Sequence, residues 1–220
     1  MKKSKRTFIR IASIACIVAC SGDFLVLFLL GMQYPGYSRL KNTMSSMGIT
    51  SSPVATPISL WWIFWGILII FFALGLRTAF PWRKKAAHFA SWLVILYGLG
   101  EGVGSGLFHA DKIGTPMTWL GLAHNVAAGV GVASVMILPL AMVRIFPKSV
   151  FHRFWLFSVL VAIIGTIGVS MFYIASLWNA PDHFVSTYKG LWQRLFVLDY
   201  YTYLIAIAVK MLISKSERFK

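Results

Sequence analysis

The sequence predicts an all-α integral membrane protein, built as a bundle of six transmembrane helices. Its residues are 58% apolar and only 12% charged, and its mean hydropathy is +0.75. Soluble domains are about 45 to 50% apolar, so this composition excludes an ordinary soluble fold. Six apolar runs of roughly 20 residues are present, each long enough to cross about 30 Å of hydrocarbon.

The whole chain, 1–220, is predicted to be one membrane domain. The six spans are predicted at 8–32, 58–76, 86–108, 117–143, 154–178 and 195–213. Tryptophans and tyrosines cluster near the ends of these runs, as is usual for aromatic side chains at the lipid headgroups.

The first span is predicted to stay uncleaved. The run ending "IVACS" resembles a lipoprotein signal with its acceptor at Cys20, but cleavage there would leave "SGDFLVLFLLGM", which is too short to cross. Cys16 and Cys20 are four residues apart and share one helix face, so we interpret them as small apolar packing residues.

The positive charges fix the predicted orientation. Sixteen of the 21 Lys and Arg residues lie in the two terminal segments and in the connections after the second and fourth spans, and five lie in the alternate loops. By the positive-inside rule both termini are cytoplasmic, and an even number of spans agrees. The basic residues form short clusters between apolar runs, so nucleic acid is not expected as a partner. The expected location is the plasma membrane, with membrane lipids as partners.

The first outer loop, 33–57, is rich in Ser, Thr, Pro and Gly. It is longer than a minimal connection and too polar to enter hydrocarbon. We therefore expect it to fold back over the mouth of the bundle as a lid.

The third span ends in "GEGVGSGLFHAD", residues 100–111, which combines four glycines with two of the six acidic residues. At helical spacing Glu101, Ser105 and His109 form one stripe, and Gly98, Gly102 and Gly106 run beside it. Small residues at this spacing allow another helix to approach closely, as in G-x-x-x-G packing. The polar stripe is therefore expected to face the bundle interior.

Charged side chains in hydrocarbon are costly and need a partner or a water-filled cavity. Asp23, Glu101, His124 and Asp199 all fall in the outer half of their spans. We predict that they share one outward-facing cavity. One interpretation is purely structural, with Glu101 paired to His124 or with Asp23 sharing a proton with a neighbour.

Two stretches resemble a known family: "YPGYSRLKNTMSSMG" followed by "SSPVATPISLWWIFWGILIIFFALGLR", and "FHAD" followed by "LAHNVAAGVG". They are similar to the six-span bacterial membrane proteins catalogued as domain of unknown function 998. The positions that fit that pattern are Tyr37, Ser45, Gly48, Ser52, Pro53, Asp111 and His124. His109 replaces a proline that is usual two places before the aspartate. The resemblance implies the topology and brings no established activity.

Three functions remain open from the sequence. The first is recognition of a lipid-like or small amphiphilic molecule in the cavity, with Tyr37 in the covering loop. The second is a metal-dependent membrane hydrolase, in which His109, Asp111 and His124, with Glu101 or Asp23, would bind a divalent metal. Ser105 is the best-placed hydroxyl for a nucleophile. The third is a transporter, although no internal repeat or pair of interrupted helices is evident. No cofactor, catalytic residue or oligomeric state can be assigned.

Overall fold

The computed structural model describes residues 3–112, 114–178 and 183–213, and the structural statements below concern these residues. They form no β-strand, and six of their helices are long and apolar enough to cross a membrane. These are α1 (Lys3–Met32), α2 (Ala55–Ala79), α3 (Pro81–Leu107), α4 (Trp119–Ile145), α5 (Lys148–Leu177) and α6 (Lys189–Ile213). The predicted all-α fold with six spans is confirmed.

Most helices begin several residues before the predicted span. α1 begins at Lys3, α5 at Lys148 and α6 at Lys189, where the sequence predicted 8, 154 and 195. Hydropathy marks only the part of a helix that suits hydrocarbon, whereas lysine, arginine and glutamine continue a helix into the polar region.

The six helices form a closed ring. Each helix packs against the next one in the chain, and α6 packs against α1. Ala12 of α1, Gly75 of α2 and Met211 of α6 meet at one end, so the chain enters and leaves the membrane domain at the same end of the bundle. The charge count that predicts a cytoplasmic location for this end includes residues 1–2 and 214–220, which lie outside the described residues.

The third helix changes its winding along its length. It runs from a 3₁₀ turn (Pro81–Arg83) through an α-helix (Lys84–Tyr97) and a π-helix (Gly98–Gly104) to a last α-helical turn (Ser105–Leu107). The Ser105 hydroxyl donates to the Gly100 carbonyl five residues earlier, at 3.3 Å, within this wider winding. The regular α-helical period expected for this stretch is therefore wrong.

The glycines of α3 pack against helices on both sides. A Cβ at Gly98, Gly102 or Gly106 would meet α2, mostly its backbone at Gly66, Trp62 and Ser59, and one at Gly100 or Gly104 would meet α4 at Ala127 and Gly131. The predicted close approach at Gly98, Gly102 and Gly106 is confirmed. The contact of Gly100 and Gly104 with α4 was not predicted, because the four-residue spacing of Gly98, Gly102 and Gly106 indicates only one small-residue face.

The connection between α1 and α2 folds back onto the bundle. Its backbone is tied to the start of α6: Leu191 N–H donates to the Leu40 carbonyl at 2.9 Å, and Met44 N–H donates to Gln193 Oε1 at 2.6 Å. The side chains of Met44, Met47 and Ile49 are buried beneath it. α2 begins at Ala55, so this loop covers 33–54, and we call the end of the bundle that carries it the loop face.

We expect Gly102→Ala to lower the free energy of unfolding by about 1 to 3 kcal/mol, because its methyl group would overlap the backbone of Gly66. The matched control is Gly129→Ala on α4, where an added Cβ meets no atom within 4 Å. The control should be neutral or stabilising, since alanine is the better helix former. Unfolding in mixed micelles titrated with dodecyl sulfate measures both variants. Equal stability of the two would contradict the glycine packing.

Candidate functional site

A cavity of about 390 Å³ lies inside the ring, towards the loop face. All six helices line it, and each contributes at least one of the following: Asp23, Trp65, Glu101, His124, Phe172 and Tyr201. Met44 and Ser45 of the loop cover it. The structure therefore brings Asp23, Glu101, Ser105 and His124 together in one cavity.

Asp23 is a hydrogen-bonded carboxylate in the wall of this cavity. It is 1% exposed, and each of its oxygens accepts one hydrogen bond. Trp61 Nε1–H donates to Oδ1 at 2.7 Å, and the Tyr201 hydroxyl donates to Oδ2 at 2.9 Å. Both donors are neutral, so they stabilise the carboxylate without cancelling its charge.

Glu101 lies at the centre of the π-helix and faces the cavity. Its side chain runs over Gly131 of α4, where a Cβ would lie 2.8 Å from Glu101 Cγ. Its carboxylate makes no hydrogen bond or ion pair with any residue in the described part of the chain. The predicted alternative of a Glu101–His124 pair is therefore wrong.

His124 and Ser105 are held by the backbone of α3. His124 is 4% exposed, and its Nδ1–H donates to the Phe108 carbonyl at 2.8 Å. A carbonyl can only accept, so this bond leaves Nε2 as the acceptor nitrogen of the neutral ring. The buried Ser105 hydroxyl donates to the Gly100 carbonyl. The His124 bond joins α4 to the chain at the end of α3, whereas the Ser105 bond lies within α3.

His109 lies outside this cavity, where its Nδ1–H donates to the Gly48 carbonyl at 2.9 Å and ties the end of α3 to the loop. The stripe predicted from Glu101 through Ser105 to His109 is wrong at its last member, because the helix ends at Leu107.

Asp111 stabilises the start of α4. Its two oxygens accept from the backbone N–H and the hydroxyl of Thr118, both at 2.8 Å, and Thr118 Oγ1 accepts from Gly121 N–H at 3.1 Å. Capping of this kind satisfies the free N–H groups of a helix start. Across the described residues, no group of three or more His, Cys, Asp and Glu side chains could hold a metal ion. His109, Asp111 and His124 are thus not arranged as the predicted ligand set.

A second hollow, of about 540 Å³, adjoins the cavity at the loop face. Tyr37, Asp111, Lys112 and Lys189 line it. Ser45, Asn125, Phe172 and Ser176 line both spaces, so the two share a wall. Tyr37 is therefore in the outer hollow, beside the cavity of Asp23 and Glu101.

Arg194 holds the loop in place, and it was missed in the sequence. Its guanidinium donates to the Tyr37 hydroxyl at 2.5 Å, to the Asn42 carbonyl at 3.0 Å and to the Gly190 carbonyl at 2.9 Å. The Tyr37 hydroxyl in turn donates to the Thr43 carbonyl at 3.2 Å. Burial raises the pKa of Tyr37, against the opposing charge of Arg194, so this hydroxyl stays protonated at neutral pH.

Asp199 does not belong to the cavity, and its predicted place there is wrong. It lies in an apolar groove between α5 and α6, lined by residues such as Ile164, Met171 and Leu195. Asp199 precedes Tyr201 by two residues, which turns it about 200° around the helix at about 100° per residue. Tyr201 faces inward, so Asp199 faces away.

A comparison with models of protein families shows which family the chain belongs to. The model of the family described as protein of unknown function DUF998 matches residues 17–210. The chain belongs to the DUF998 family. No curated protein and no solved structure gives a significant match. The match includes residues of all six helices. The DUF998 resemblance noted at Gly48, Asp111 and His124 falls on residues that form hydrogen bonds at the loop face.

Several residues of the site carry no distinctive signal in the sequence. Trp61 and Tyr201 bind Asp23, and Gln193 binds the loop, yet nothing in their spacing along the sequence marks them as partners of these groups. A buried aspartate does require hydrogen-bond donors, but many side-chain types can donate. That requirement could not select the partner among nine tryptophans and eight tyrosines.

We expect Arg194→Lys to loosen the loop more than Tyr37→Phe, because the arginine bonds three oxygens and the tyrosine hydroxyl only two partners. A hydrogen bond to a charged group contributes about 1.5 to 3 kcal/mol, equivalent to at least about tenfold faster local opening. Hydrogen exchange of residues 38–48, followed by mass spectrometry, measures this. Lys41→Gln, at an exposed position of the same loop, is the control. Unchanged exchange in Arg194→Lys would refute the clamp.

Proposed function

We propose that this protein binds a lipid-like or small amphiphilic molecule in the cavity inside the helix ring. The volume of about 390 Å³ falls within the roughly 300 to 1,000 Å³ of small-molecule sites. Aromatic and aliphatic side chains make up much of the wall, and a few polar groups lie among them. This combination suits a molecule with a polar head and a short apolar part.

The observation that carries the proposal is the position of the exposed part of the cavity wall, which lies on α4 and α5. The cavity-lining residues that are exposed at the protein surface all lie on these two helices: Asn125, Tyr173, Ser176 and Leu177. Gly129 borders the same space, and a Cβ there would meet no atom within 4 Å. Exposed lining residues on two neighbouring membrane-spanning helices face the lipid, which supports entry of the ligand from the lipid between these helices.

The excess of positive charge at the opposite end supports a loop face on the outside of the cell. The proposed entry is then from the outer leaflet of the plasma membrane, with the loop 33–54 over the polar end of the ligand. A hydrolase and a transporter remain alternatives. No specific observation favours either, and Ser105, the best-placed hydroxyl for a nucleophile, donates to a backbone carbonyl.

We expect Gly129→Leu to exclude the ligand, because the new side chain would enter the cavity without meeting the backbone. Val126→Leu, at a lipid-exposed position one turn away on α4, is the matched control. Native mass spectrometry and lipid analysis of purified protein measure what is retained. The wild type and control should carry the same bound molecule and Gly129→Leu should lose at least about 90% of it, a tenfold or larger weakening. Equal retention in all three would overturn the proposed function.

We expect an impermeant maleimide to label Lys41→Cys in intact cells and Lys85→Cys only after permeabilisation. Lys41 is exposed in the loop, and Lys85 is exposed at the opposite end of the bundle. The native Cys16 and Cys20 are 0% and 1% exposed, so the unchanged protein serves as an unlabelled background. The reverse labelling pattern would show that the loop face is cytoplasmic.

A further inference from the structure

We propose that the head group recognised in the cavity is an organic ammonium carried on an apolar tail. The inference rests on the proposed function, since it names the chemical class of the ligand at that same site. Two carboxylates, Asp23 and Glu101, line the cavity. No lysine or arginine among the described residues lines it with them.

Glu101 is the primary contact for the cation. Its carboxylate faces the cavity and is without a hydrogen-bond or ion-pair partner in the described chain, although α3, α4 and the loop all pack nearby. A carboxylate in a membrane interior normally has a partner, and a bound cation would supply it. Asp23 adds a second negative charge from α1, and its donors Trp61 and Tyr201 are neutral.

The other side chains around the cavity also favour a cation. The neutral His124 ring has its Nδ1–H committed to Phe108, and Gln193 accepts from the loop backbone. Neither side chain repels a positively charged ligand. Anionic head groups, by contrast, would meet two carboxylates and no basic side chain, so they are disfavoured.

Aromatic rings complete the site. Trp65 stacks on Tyr201 with ring centroids 5.7 Å apart, and Tyr97 meets Trp65 edge-on at 5.3 Å. All three rings line the cavity. Aromatic faces attract ammonium groups, and quaternary ammonium ligands are commonly held in such cages. The apolar tail would lie towards the exposed part of the cavity wall on α4 and α5.

The test compares three probes that share a decyl tail: decyltrimethylammonium, decanol and decanoate. Binding is measured on protein in nanodiscs of phosphatidylglycerol, with empty nanodiscs subtracted. We expect the wild type to bind the ammonium most tightly. Glu101→Gln should weaken the ammonium by at least about tenfold and leave decanol unchanged. Asp199→Asn is the matched control, because it removes a carboxylate that lies outside the cavity, and it should retain the preference. Glu101→Asp keeps the charge, so it should bind the ammonium more tightly than Glu101→Gln does.

The outcomes separate the two proposals. If the wild type binds all three probes alike, or prefers decanoate, while Gly129→Leu blocks them, the ammonium inference fails and the proposed function stands. If Gly129→Leu changes the binding of none of them, both fail. If Glu101→Gln weakens decanol as much as the ammonium, its effect is structural and the inference fails.

The source of the ammonium is decided by competition. Phosphatidylethanolamine added to the nanodiscs should displace decyltrimethylammonium if the natural ligand is a membrane lipid. Retained probe binding would indicate a free amphiphilic amine instead. Either result supports recognition of the ammonium group and identifies where it comes from.

Discussion

The close contact of the α3 glycines with α2 on one side and α4 on the other is the constraint on which the ring depends. Any side chain at Gly102 would strike the α2 backbone, and any at Gly100 would strike α4. Because both neighbours lie so near, glycines occupy the contacting positions of the π-helix; Leu99 is 45% exposed at the surface, and one side chain faces the cavity. That side chain is Glu101, so the same contact that closes the ring places the carboxylate in the cavity.

The two cavity carboxylates solve the problem of charge in hydrocarbon differently. A charged side chain at the centre of a membrane costs at least about 2.5 to 3.5 kcal/mol on insertion scales. Asp23 offsets this cost with two hydrogen bonds from Trp61 and Tyr201. Glu101 has no such bonds within the described chain and borders an open cavity instead. A carboxylate with both oxygens hydrogen-bonded can have a purely structural role. A carboxylate without such bonds, beside a cavity, has the free acceptor oxygens that a bound ligand needs.

The sequence predicted what depends on hydrophobicity and charge, namely six spans and a shared interior site for Asp23, Glu101, Ser105 and His124. Prediction from the sequence failed where the position of a side chain depends on local helix geometry or on residues that are distant in the sequence. The misplacement of Asp199 came from using depth alone, since two residues along a helix reverse the direction of a side chain. His109 was misread because the end of α3 at Leu107 removes it from the helical stripe. The π-helix and the bonds of Arg194 need three-dimensional contacts that no spacing rule contains.

The loop and the cavity form one structural unit, and the polar residues outside the cavity hold this unit together. The loop residues Met44 and Ser45 are part of the cavity wall, and Gln193 on α6 lines the cavity while bonding the loop backbone. His109 holds the other side of the loop, through its bond to the Gly48 carbonyl. Loss of either attachment would move the cavity wall itself. The same structural connection therefore links the position of the loop to the shape of the space beside Glu101.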